Sequence, residues 1–212
     1  MTVGQDVPRI DARAKATGET RFAGDLVIPG MVYGKLVRSP YAAAKITRID
    51  ARAARALPGV IAVMTGDDVL DIDPYYGHAI KDRPLIAIDR VRFAGEPVVA
   101  IAAETPEIAA DAAELIEIDY EPMDAVLTIE EALAEGAPHL HVTELLRKGL
   151  FHGLGEFKLD PGNVCYHHQF DRGDLDAAFA EADIVVEGEY EFPAVYQYAM
   201  ETHTTIAEWN HA

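Results

Sequence analysis

Cysteine is nearly absent from this chain of 212 residues: Cys165 is the only one. A single thiol excludes an intrachain disulfide, a cysteine-held iron–sulfur cluster and a zinc site built on paired cysteines. No apolar run approaches the length of a membrane span. The opening Met1-Thr2-Val3-Gly4-Gln5-Asp6 has neither the basic start nor the apolar centre of a signal peptide. A cytoplasmic location is expected, with no membrane partner. Basic residues are also scarce: 18 stand against 36 acidic ones, for a formal net charge of -18. A field of that sign repels nucleic-acid phosphates and anionic lipid, so no nucleic-acid partner is expected. The shortage is uneven. Lysine and arginine are frequent before Pro58, whereas from Asp171 onward Arg172 stands alone.

What is present is ordinary globular material, half hydrophobic and a quarter charged. Residues 1–19 are polar, with Pro8 and Gly18, and read as an extended arm. Met31 to Arg38 reads as a strand closed by Ser39-Pro40, and Ile46 to Ile49 as a short second one. Residues 51–57 favour a helix that Pro58-Gly59 stops. Val60 to Met64 is a continuous apolar run, expected to be a strand buried on both faces. After a polar loop over 66–84, Gly95-Glu96-Pro97 turns the chain into a buried strand over 98–102. Thr105 is placed to cap a helix with Pro106 at its first position. Ile108, Ala112 and Leu115 would form that helix's inner face. Residues 116–121 alternate apolar and acidic, the pattern of a half-exposed strand. Thr128 and Glu131 form a capping box for a short helix.

Periodicity fails from Ala137 to Gly173, which reads as a connector. Asp174 then caps a helix carrying Leu175, Ala178, Phe179 and Ala182. Alternation over Ile184–Phe192 predicts a strand with one acidic face, and Thr204–Trp209 predicts another. One helix and two strands cannot bury a core of their own, so the second domain is expected to be incomplete. The fold class is α+β, with an arm over 1–19, a first domain over 20–136, a connector over 137–173 and the opening of a second domain over 174–212.

Several motifs then carry a family likeness. Arg9-Ile10-Asp11, Lys15-Ala16-Thr17-Gly18, Phe22-Ala23-Gly24-Asp25 and Pro29-Gly30-Met31-Val32-Tyr33-Gly34 stand near the start. Arg38-Ser39-Pro40, Leu57-Pro58-Gly59-Val60, Arg92-Phe93-Ala94-Gly95-Glu96-Pro97-Val98 and Tyr120-Glu121-Pro122-Met123 follow. Arg172-Gly173-Asp174 and Met200-Glu201-Thr202-His203 complete the series. In this order they resemble the molybdopterin-binding subunit of the xanthine dehydrogenase/aldehyde oxidase family of molybdenum hydroxylases. The resemblance implies an α/β hammerhead domain followed by the first portion of the molybdenum-cofactor-binding α+β domain.

It further implies oxidative hydroxylation of an aldehyde or N-heterocycle with oxygen drawn from water. Molybdenum on molybdopterin, in its dinucleotide form, would serve the complete enzyme. 2Fe-2S clusters and FAD would sit on partner domains or subunits. The implied partners are the remaining molybdenum-binding region, an iron–sulfur subunit, an FAD subunit and a small-molecule substrate. The family's general-base glutamate has no counterpart here, so no catalytic residue is assigned and no cofactor is expected on this chain alone. In the xanthine-type branch a glutamine shortly before the glutamate matched by Glu201 approaches the metal's oxo group. Gln197 is the nearest cofactor-binding candidate, although Val195 holds the matching offset. Glu201 itself reads either as lying near the molybdenum pocket or as supporting a strand end.

His139, His141, His152, His167 and His168 invite a metal reading, but their spacing matches no known site and no metal ligand is assigned. Gly153-Leu154-Gly155 lacks the third glycine and leading strand of a dinucleotide loop. Asp71-Ile72-Asp73 is a solvated turn rather than a calcium loop, and Cys165 lacks an activating neighbour. The alternative to an enzyme component is a stand-alone interaction module on the hammerhead scaffold, without catalytic activity.

Overall fold

A computed structural model describes residues 4–77, 82–140, 163–164, 170, 172–193 and 195–209. Gly153, Gly155, Cys165, His141, His152, His167 and His168 lie outside the described residues, with most of the expected connector. The chain divides into two units, Met31–Phe170 and the combination of Met1–Gly30 with Asp171–Ala212.

The Met31–Phe170 unit carries the core. Strand β1 (Tyr33–Arg38), β2 (Ala44–Asp50), helix α1 (Arg52–Ala56) and β3 (Val60–Met64) follow in the expected order. Two-residue strands β4 (Tyr75–Tyr76), β5 (Arg83–Pro84) and β6 (Arg90–Val91) cross the polar stretch. Then come β7 (Pro97–Ala103), α2 (Pro106–Glu114), β8 (Glu117–Pro122) and α3 (Ile129–Leu133). The strands form three antiparallel groups, β1-β7-β3, β6-β2-β8 and the β4–β5 pair.

Strand β7 is the centre of its sheet, and Val98, Val99, Ile101 and Ala103 are buried. Helix α2 packs across β1 and β7, and α1 against β3. The buried face of α2 is Ala109 and Ala112, while Leu115 is left exposed. Small residues at the contact let this short helix approach the sheet closely. Thr105 accepts from the Ile108 N–H and Pro106 opens the helix, as its sequence requires. The run Val60–Met64 does form a strand, but not one buried on both faces: it lies at the sheet edge, and Ile61 is exposed. Apolar content alone could not tell an edge from a centre.

In β2 the register shifts between Ile46 and Arg48. The extra residue places Thr47 and Arg48 outward in succession, so Ile46 and Ile49, three apart, both pack on the core. Arg48 then meets Asp119 at 2.7 Å, Glu117 at 3.1 Å and Asp50 at 3.3 Å on the exposed face. Arg52 hydrogen-bonds Asp50 and holds its carboxyl far below the usual carboxylate range. Thr128 and Glu131 make the reciprocal capping box that starts α3.

The other unit departs more from expectation. The first nineteen residues are not an extended arm throughout: Ala12–Thr17 is a helix, with Gly18 left-handed at φ 75°. Alanine-rich sequence, the Lys15–Asp11 pair at 2.8 Å and a glycine stop explain it. Ala23–Asp25 is a single 3₁₀ turn. Asp174 caps the helix Leu175–Glu181 by accepting from the Ala177 N–H, as expected. The strands expected over Ile184–Phe192 and Thr204–Trp209 do not form. A ladder needs a second strand to hydrogen-bond, and none pairs with these segments among the described residues. Ile184, Val186, Tyr190 and Phe192 are 82–92% exposed.

Candidate functional site

Two places merit description, one in each unit. In the Met1–Gly30/Asp171–Ala212 unit, Gln197 is exposed and lies outside helix and strand. The Tyr196 and Tyr198 rings meet edge to face, with centroids 5.2 Å apart and planes at 82°. Tyr198 has φ 42°, a conformation that costs a non-glycine residue about 1–3 kcal/mol. The composition of this segment gave no sign of that bend. Val195, the residue at the family's offset, is 85% exposed, and Glu201 and Met200 are exposed too. A Cβ placed on Gly24 would lie 3.5 Å from the Thr204 Oγ1. The 3₁₀ turn of the Phe22–Asp25 motif therefore sits beside the stretch following Met200–His203.

No group of three or more His, Cys, Asp or Glu side chains able to hold a metal ion comes together among the described residues. His139 is exposed, and its carbonyl accepts from Arg90 at 3.4 Å. These exposed groups do not by themselves fit a pterin cofactor, whose chemistry requires an enclosed, desolvated cavity.

In the Met31–Phe170 unit the polar feature is the turn before β7. The Glu96 side chain is 4% exposed and that of Arg92 11%. Glu96 accepts from the Arg92 backbone N–H at 2.5 Å and from its guanidinium at 3.4 Å. Gly95, at φ 91°, lets the chain reverse between them. The turn is anchored further by Arg38 Nη1 donating to the Gly95 carbonyl at 2.8 Å. Ser39 N–H donates to the Glu96 carbonyl at 2.9 Å, and Gly95 N–H to the Ser39 carbonyl at 2.8 Å. The Arg38-Ser39-Pro40 and Arg92–Val98 motifs are thus partners across β1 and β7. Beside them is a cavity of about 310 Å³ lined by Arg83, Pro84, Arg92, Phe93, Glu96 and Leu140 among others. The sequence marked Glu96 as a turn residue, not as a buried carboxylate. Its spacing of four from Arg92 and its place between glycine and proline were the available signals.

Gly66 completes this frame. A Cβ there would lie 2.7 Å from the Ala87 carbonyl oxygen and 2.7 Å from the Ile88 Cα. At the adjoining 3₁₀ turn the Thr65 N–H and hydroxyl both donate to the Asp68 carboxylate, at 2.7 and 2.9 Å, and those hydrogen bonds hold the Asp68 carboxyl below its ordinary value.

Comparison with known proteins places the chain in a family. Residues 17–124 match the aldehyde oxidase and xanthine dehydrogenase a/b hammerhead domain, and residues 157–212 match the molybdopterin cofactor-binding domain. The chain is 34% identical over 210 residues to the xanthine dehydrogenase molybdenum-binding subunit of Escherichia coli O157:H7, covering 94% of this chain and 25% of that protein. It is 37% identical over 201 residues to the 6-hydroxypseudooxynicotine dehydrogenase complex subunit gamma of Paenarthrobacter nicotinovorans, covering 89% and 23%. The solved structure of reconstituted CO dehydrogenase from Oligotropha carboxidovorans superposes with a TM-score of 0.60 at 33% identity, over 64% of this chain and 17% of that one. The chain therefore spans about a quarter of the length of these curated relatives. With the hammerhead model matching half of its residues and the cofactor-binding model following in order, the chain belongs to the aldehyde oxidase and xanthine dehydrogenase family.

Proposed function

We propose that this chain supplies the hammerhead domain, and the opening of the cofactor-binding region, to a molybdenum hydroxylase. The observation that carries the reading is the ordered pair of family matches over 17–124 and 157–212. The boundaries proposed are 20–136 for the hammerhead, 137–173 for the connector and 174–212 for the cofactor-binding portion. The complete enzyme hydroxylates an aldehyde or N-heterocycle with water-derived oxygen. A molybdenum–molybdopterin group, in the dinucleotide form, would supply the electron-accepting chemistry when bound. Iron–sulfur and FAD partners carry those electrons away, in the cytoplasm.

The share of this chain in that work is structural. Its Met31–Phe170 unit forms a wall built on β7, and its 184–193 and 195–209 stretches join a sheet that other parts of the enzyme complete. Gln197 is proposed to face the cofactor in that assembly.

Metal analysis of the purified chain, with a dye-linked oxidation assay, tests the reading. The expected result is no stoichiometric molybdenum and no oxidation of aldehydes or purines. Near one molybdenum per chain with turnover would overturn it. In the assembled enzyme Gln197→Ala should lower molybdenum retention, and unchanged retention would remove Gln197 from the cofactor's surroundings.

A further inference from the structure

We draw no further inference here: the strongest candidate, the exposed apolar row of Ile184, Val186, Tyr190 and Phe192 in the C-terminal segment, is an unpartnered face and nothing in the structure shows what covers it.

Discussion

Strand β7 and the segment Ile184–Phe192 have much in common as sequences, and they end in opposite states. Both are rich in residues that favour strands. In β7 the backbone is hydrogen-bonded on each side, by β1 and β3, and four of its side chains are buried. In 184–192 the same kind of residue stands in solvent with no ladder among the described residues. The difference lies in the neighbours. Strand propensity measures fit to a half-buried pleated surface, and without that surface it has nothing to act on.

Breaking the ordered side should be costly, and most so at Glu96. Glu96→Ala removes the acceptor of the Arg92 N–H and strands a guanidinium that is 11% exposed. Asp89 also pairs with Arg92, but at 4.0 Å and itself 71% exposed. Loss of one partner from a buried pair costs about 3–5 kcal/mol, and urea denaturation of the chain reads it. Glu96→Gln, which keeps an oxygen for the N–H, should recover part of the loss. Equal stability of wild type and Glu96→Ala would show that the pair is only decorative.

The two regions can be compared directly through matched truncations. Ile101→Ala, in the centre of β7, should destabilise by about 2–5 kcal/mol. Phe192→Ala should change the unfolding free energy by less than about 0.5 kcal/mol, since Phe192 is 92% exposed. Amide exchange should divide the same way, slow across β7 and fast across 184–192. Slow exchange in the latter, measured on a monomer, would mean that its ladder is already complete.

Gly66→Ala is a smaller change with a definite direction. The added methyl meets backbone at 2.7 Å, at the Ala87 oxygen and the Ile88 Cα, and neither can swing aside. The expected cost is about 1–3 kcal/mol. Gly34→Ala, where a Cβ meets nothing within 4 Å, is the control.

The smallest effect is expected at Tyr120. Its ring packs 5.1 Å from that of Tyr41, and its buried hydroxyl has no hydrogen-bond partner among the described residues. Burial raises its pKa above the ordinary value, and the nearby Ser39 hydroxyl opposes this only in part. With the folded pKa above the unfolded one, this contribution to stability is full below about pH 10 and falls as pH rises through the folded value. Tyr120→Phe should leave neutral-pH stability within about 0.5 kcal/mol and flatten the alkaline limb of the stability profile. An unchanged alkaline limb would assign it to another group, Tyr75 being the other tyrosine that burial pushes upward.

Local rules were sufficient at three helix starts, where the structural choice depended on residues close in the chain. Thr105-Pro106, Thr128 with Glu131 and Asp174 each announced a helix start, because a cap is settled by the few backbone N–H groups beside it. The helix at Ala12–Thr17 was also within reach, and the polar composition around it concealed it. The ordered motifs made the family legible, since they follow one another along the chain. Tertiary structure alone decided the rest. It set β3 at an edge, shifted the phase of β2 at Thr47 and buried Glu96 against Arg92. It also left 184–192 without a sheet. The edge, the phase shift and the missing sheet each depend on a group far away in sequence, a neighbouring strand or a facing core; Arg92 is only four residues from Glu96, but the turn that holds the pair is anchored by the distant Arg38 and Ser39. Burial and strand pairing are properties of that neighbour as much as of the residue, and periodicity along one segment cannot contain them.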